Sequence, residues 1–141
     1  MRLRILLVLL IVFSCKQSPE ELYLWNSIEV TATAYNSLKS QTDSNPNITA
    51  FGDTLKPDMH CIAVSKDLLQ KGLKHNTPVK IKGFEGFYYV KDKMHSKWKN
   101  KIDIYMGVDV KAAREWGRRK IVIEYGLPKN TKPQNNERIS K

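Results

Sequence analysis

The chain has 141 residues and a formal net charge of +10, from 24 lysines and arginines against 14 aspartates and glutamates. Once its two ends are set aside, that length supports one modest hydrophobic core, which excludes two independently folded domains. Two cysteines and three histidines without pairing or ligand spacing exclude a disulfide framework and argue against a zinc centre, so no metal and no cofactor are expected.

Met1-Arg2-Leu3-Arg4 is basic, residues 5–13 are apolar, and Val12-Phe13-Ser14-Cys15 has the lipobox form, with a small residue just before cysteine. The apolar stretch is too short for a comfortable membrane span. Residues 1–14 are therefore expected to be a cleaved lipoprotein signal, with Cys15 the lipidated first residue of the mature chain. An uncleaved hydrophobic anchor is the alternative. Either way the domain is expected in the cell envelope, attached to a membrane and facing the outside of the inner membrane. Loss of residues 1–14 removes Arg2 and Arg4 and leaves a charge of +8.

Residues 15–27 read as a tether whose Leu22, Leu24 and Trp25 can pack on the adjoining body of the chain. That body, residues 28–126, is mostly short strands. Residues 28–33 alternate and are rich in β-branched side chains; 61–64, 79–82, 87–90, 102–105 and 120–125 come next, separated by glycine, proline and asparagine. Gly83-Phe84-Glu85-Gly86 reads as a hairpin connection. Two short helices are expected, at 66–70 before Gly72 and at 109–116, where Asp109 favours the start and Gly117 the end. Residues 127–141, with Pro128, Pro133 and Asn135-Asn136, form a polar tail with little to bury. There is no internal repeat and no sign of an oligomer, so a monomer is expected.

With Cys15 acylated, Cys61 is the one remaining thiol. It sits in His60-Cys61-Ile62-Ala63-Val64, and no histidine lies at a motif-like spacing to activate it. It reads as a small buried hydrophobe.

The most informative run is residues 90–107. It sets Asp92 and Asp103 amid lysines, and Asp103 interrupts an Ile102-Asp103-Ile104-Tyr105 alternation that otherwise reads as plain strand. One reading makes Asp103 the outward position of a period-two strand. The other makes it a chemical group. Lysines alternating with Tyr88, Tyr89 and Trp98 would suggest nucleic acid inside a cell. For an exported chain, the anionic partners are instead the stem-peptide carboxylates of peptidoglycan and anionic lipid head groups, and no nucleic acid is expected. A solvated basic surface without a partner is the plainer alternative.

Thr31-Ala32-Thr33-Ala34-Tyr35, Thr49-Ala50-Phe51-Gly52, Ile62-Ala63-Val64-Ser65, Val90-Lys91-Asp92, Ile102-Asp103-Ile104-Tyr105-Met106-Gly107 and Ala113-Arg114-Glu115-Trp116-Gly117 occur in order. Together they resemble the three-aspartate ("3D") domain over about residues 28–125. That domain is a small double-psi β-barrel related to the C-terminal part of membrane-bound lytic transglycosylase A and, more distantly, to rare lipoprotein A and the expansins. The resemblance implies an all-β fold: a six-stranded double-psi β-barrel with one or two short helices.

It also implies site residues. Asp103 matches the catalytic acid of the related transglycosylases. A glycosidic oxygen leaves poorly until protonated, so such an acid needs a pKa raised by burial, which Ile102, Ile104 and Tyr105 can supply. The same carboxylate can then take the proton of the C6 hydroxyl of N-acetylmuramic acid as it closes a 1,6-anhydro ring. Asp92 matches the preceding family aspartate, in a supporting role that orients Asp103 or binds sugar hydroxyls; a surface ion pair with Lys91 or Lys93 is the alternative. Thr33 and Tyr35 fall in the Thr-Ala-Tyr segment beside the groove and are candidates for hydrogen bonding and stacking on a sugar, although Tyr35 fits a core position equally. Trp98 offers a flat face to a sugar, or else packs under lysine stems.

Two departures from the pattern stand out. Ser65 occupies the position of the first family aspartate, with Asp67 two residues on. Lys93-Met94-His95-Ser96-Lys97-Trp98-Lys99 replaces a glycine-rich stretch, so the family's backbone contacts to substrate there do not carry over. Three function classes stay open. The leading expectation is an exported lipoprotein that cleaves the glycan strands of peptidoglycan as a lytic transglycosylase, with Asp103 as acid and then base. The alternatives are a non-catalytic, expansin-like peptidoglycan-binding barrel and a structural envelope lipoprotein.

Overall fold

Val30 and Ala32 are buried while Thr31 and Thr33 between them are only partly covered, the two-residue alternation of a strand with one face on a core. The computed structural model describes residues 19–37 and 48–129. The expected signal segment, Cys15 and residues 130–141 of the expected tail lie outside the described residues, whereas Leu127 and Pro128, read as the start of that tail, belong to the last strand.

A single helical turn, α1 (Pro19–Leu22), leads into β1 (Tyr23–Tyr35). Then come β2 (Cys61–Val64), α2 (Lys66–Gln70), β3 (Pro78–Ile81), β4 (Tyr88–Lys93), β5 (Lys101–Tyr105), α3 (Val110–Trp116) and β6 (Arg119–Pro128). The strands close a barrel in the order β1-β5-β2-β4-β3-β6. β1 runs parallel to β5 and β2 parallel to β4, while β2 and β5 are antiparallel neighbours, so the two parallel pairs interlock. The protein is an all-β, six-stranded double-psi barrel with short helices, as its sequence leads one to expect. The β3 to β4 connection is the expected hairpin.

β1 begins at Tyr23 rather than near residue 28, because Tyr23 to Ala32 pair antiparallel with Pro128 to Arg119 of β6. Residues read as a tether are therefore strand. Trp25 stacks on Phe87 with ring centroids 5.6 Å apart, and the Lys80 ammonium lies 4.5 Å from the Trp25 ring. Leu22 and Leu24, by contrast, are exposed.

The barrel interior is filled by Ile62, Val64, Val79, Ile81, Val90, Ile102, Ile104 and Ile123, with Leu68 and Leu73 closing one side. Asp109 caps α3 by accepting the Ala112 N–H at 2.9 Å, and Gly117 ends that helix at φ 64°. Among the described residues, no helix is long and apolar enough to cross a membrane.

Candidate active-site groove

Because Ile102 and Ile104 point into the core, Lys101, Asp103 and Tyr105 point outward. Strand register extends this face sideways. Asp103 pairs with Thr33 of β1 on one side and Ala63 of β2 on the other, and Ala63 pairs with Asp92 of β4. The outcome is one row across four strands, Thr33, Asp103, Ala63, Asp92. The two aspartate backbones stand about two strand spacings apart, roughly 10 Å. Ala63, with only a methyl group, floors the space between them. A bulge between Ile62 and Ala63 brings Asp92, rather than Lys91, into the row.

Asp103 is thus the outward residue of a period-two strand, on the same face as Asp92. Burial pushes the Asp103 carboxyl above the ordinary aspartate range, and the nearby Asp92 charge adds to this; a hydrogen bond from Thr33 and the positive Lys101 act the other way. The Thr33 hydroxyl donates to Asp103 Oδ1 at 2.7 Å. Thr33, a candidate for contacting sugar, therefore holds the acid.

Asp92 forms no ion pair with its lysine neighbours. Its Oδ1 accepts the backbone N–H of Ala50 at 2.7 Å and of Lys93 at 2.8 Å. Lys91 turns instead to Asp53 at 3.2 Å and to the Asn76 side chain at 2.6 Å. Asp53 also meets His75 at 2.5 Å, and His75 stacks on Phe51. Burial pushes the Asp53 carboxyl up, but the hydrogen bonds and charges of His75 and Lys91 more than cancel this and hold it below the ordinary range. This cluster fastens residues 48–54, which carry the Ala50 amide, beside the Asp92 end of the row.

Tyr35 is half-buried, on the same face of β1 as Thr33. Its ring tilts against Tyr105 at 5.3 Å within a second small cluster of Leu55, Met59, Cys61 and Tyr105. Burial drives its hydroxyl far above the usual phenol range, and Cys61, Asp92 and Asp103 push it further. Cys61 is fully buried, and desolvation, reinforced by Asp92, raises its thiol to about 12, which leaves an inert hydrophobe. Trp98 also lies closer to its plainer alternative: the Lys101 ammonium stands 3.9 Å from its ring and that of Lys97 5.1 Å.

Ser65, at the first family aspartate position, is fully buried, and its Oγ accepts the Lys101 N–H at 3.0 Å. Asp67 does not take over a site role, since its Oδ2 accepts the Asn100 N–H at 2.9 Å. Both residues anchor the loop that leads into β5. Sequence reasoning missed Ala63, Ala50, Asp53 and Lys101. The small residue in Ile62-Ala63-Val64 is a usable signal for a groove floor; the Asp53, His75 and Lys91 contacts join residues 22 and 38 positions apart and leave none.

No family model matches the chain, and no curated protein matches it. Among solved structures, an apo expansin from Clavibacter michiganensis is similar over 77% of this chain, with 18% identity and a TM-score of 0.43. A mutant of that expansin in complex with cellohexaose is similar over the same share, with 18% identity and a TM-score of 0.39. This chain spans 54% of the length of those expansin chains.

Proposed function

We propose that the protein is a polysaccharide-binding barrel of the cell envelope, held to a membrane through Cys15, whose groove takes a glycan strand of peptidoglycan. The observation that carries this reading is the row Thr33, Asp103, Ala63, Asp92: two carboxylates across a methyl-floored gap, a pattern suited to sugar hydroxyls. On this reading the chain is a three-aspartate domain in which Ser65 and Asp67 have become structural. Asp92, with both backbone N–H contacts on one oxygen, keeps its other oxygen for a hydroxyl.

Binding requires no proton on Asp103, and Thr33 and Lys101 oppose, without reversing, the burial that raises its pKa, whereas a general acid must hold its proton. Two-carboxylate hydrolysis also needs a second free acid, and Asp92 is tied to backbone amides.

A second reading, lytic transglycosylase cleavage, is favoured by one observation: burial is the largest influence on Asp103 and raises its pKa. In that reaction Asp103 gives its proton to the glycosidic oxygen as the C1–O bond breaks. The resulting carboxylate takes the proton of the muramic C6 hydroxyl, whose oxygen bonds to C1, and no water is consumed.

Incubation of the protein with purified sacculi separates the readings. Sedimentation with sacculi and no anhydro-muropeptides by mass spectrometry supports binding. Anhydro-muropeptides that fall at least ~100-fold in Asp103→Asn, with a smaller loss in Asp92→Asn, establish cleavage. Absence of both retention and cleavage rules out the groove as a peptidoglycan site.

A further inference from the structure

Lys101 is 7% exposed, so more than nine-tenths of it is buried. Lysine is almost never buried to this degree without an acidic partner. Among the described residues, no carboxylate lies within ion-pair distance of its ammonium. What it has instead is the face of Trp98 at 3.9 Å, and a second ammonium, that of Lys97, stands 5.1 Å from the same ring. A ring face compensates a desolvated cation only in part, and two cations gathered on one indole repel each other. Asp103 acts on it only from beyond ion-pair distance, so within contact range the arrangement is short of an anion.

Its place in the fold says which anion. Lys101 precedes Asp103 by two residues on the outward face of β5 and so stands one step along the groove from the acid. Across the sheet its partner is Thr31, and the partner of Thr31 on the other side is Lys120. Thr31 and Lys120, with Arg118 and Arg119, line an open recess of about 440 Å³ at this end. The basic row Lys120, Thr31, Lys101 thus runs beside the acidic row that contains Asp103. A neutral glucan has nothing to offer the basic row. A sugar with hydroxyls and a carboxylate about one residue step apart can use both.

We infer that Lys101, with Trp98, Lys97 and Lys120, forms an anion subsite that makes the groove selective for saccharide chains bearing carboxylates. This rests on the glycan-groove reading above and specifies the substrate class for that same site. The carboxylate can be the lactyl group of a muramic acid or the C6 group of a uronic acid. The two share their chemistry.

The test is calorimetric titration of the full protein with four probes. These are peptide-free peptidoglycan strands, the same strands with their carboxylates amidated, an oligogalacturonide and chitohexaose. The expected result is that amidation weakens binding on the order of 10- to 100-fold, the yield of one charge-assisted contact. Lys101→Met should abolish that difference, and Lys97→Met should reduce it. Preference for the muramic strand or the oligogalacturonide identifies the source of the carboxylate. Equal binding of native and amidated strands by the wild type, a comparison that needs no variant to fold, overturns the subsite while the groove stands. Binding of none of the four probes overturns the groove reading and the subsite with it.

Discussion

Gly107, at the end of the Ile102 to Gly107 motif, packs closely against the backbone at Pro57. Its φ is 58°, and a Cβ placed there would stand 2.3 Å from the carbonyl oxygen of Pro57. The left-handed conformation costs a non-glycine residue about 1–2 kcal/mol. The clash is with backbone, so relief requires moving residue 57 by about an ångström, an overpacking cost of roughly 1–3 kcal/mol. Gly107→Ala should therefore destabilise the protein by about 2–5 kcal/mol, a large share of the stability of a domain this size. At about 4–8 °C per kcal/mol, the melting temperature should fall by on the order of 10–40 °C. Gly52 is the internal control: its φ is 86°, but a Cβ there meets nothing within 4 Å. Gly52→Ala should carry only the conformational cost, about 1–2 kcal/mol. Urea titration with an unchanged slope gives both numbers. Equal losses for the two variants would refute the argument that Pro57 packs on Gly107 and holds Leu55 and Met59 over Tyr105.

Asp103→Asn should gain stability relative to wild type as pH rises. A carboxyl raised above its ordinary value of about 3.8 costs the folded state nothing below that value and destabilises it as pH climbs through the raised one. Chemical denaturation of both proteins across that range measures the difference, and a difference that shrinks with rising pH contradicts the burial of Asp103. Asp53→Asn should have the opposite sign. The lowered carboxyl stabilises above its ordinary value and loses that contribution as pH falls through the lowered one, so the variant should be weaker by about 1 kcal/mol at neutral pH and indistinguishable from wild type in strong acid. Cys15→Ala should release the protein from membranes or leave its precursor uncleaved, as read by fractionation and acyl labelling; unchanged attachment and labelling would refute lipidation at Cys15.

The local pattern was enough to specify the barrel's parts. Alternating β-branched residues at 28–33, the short apolar runs bounded by glycine and asparagine, and the Asp109 and Gly117 helix signals depend on nearest-neighbour physics, and each formed close to where it was read. The early start of β1 was not legible, because Tyr23 to Ser27 become strand only through pairing with Glu124 to Pro128, a contact across the whole domain. The same distinction holds at the site. That Asp103 faces outward follows from the alternation in Ile102-Asp103-Ile104-Tyr105 alone. That Thr33 grips it and that Ala63 separates it from Asp92 were decided by the register of four strands, which brings residues 29 to 70 positions apart into one row. Sequence periodicity sets which face a side chain takes, whereas the partner it meets there depends on how the barrel closes.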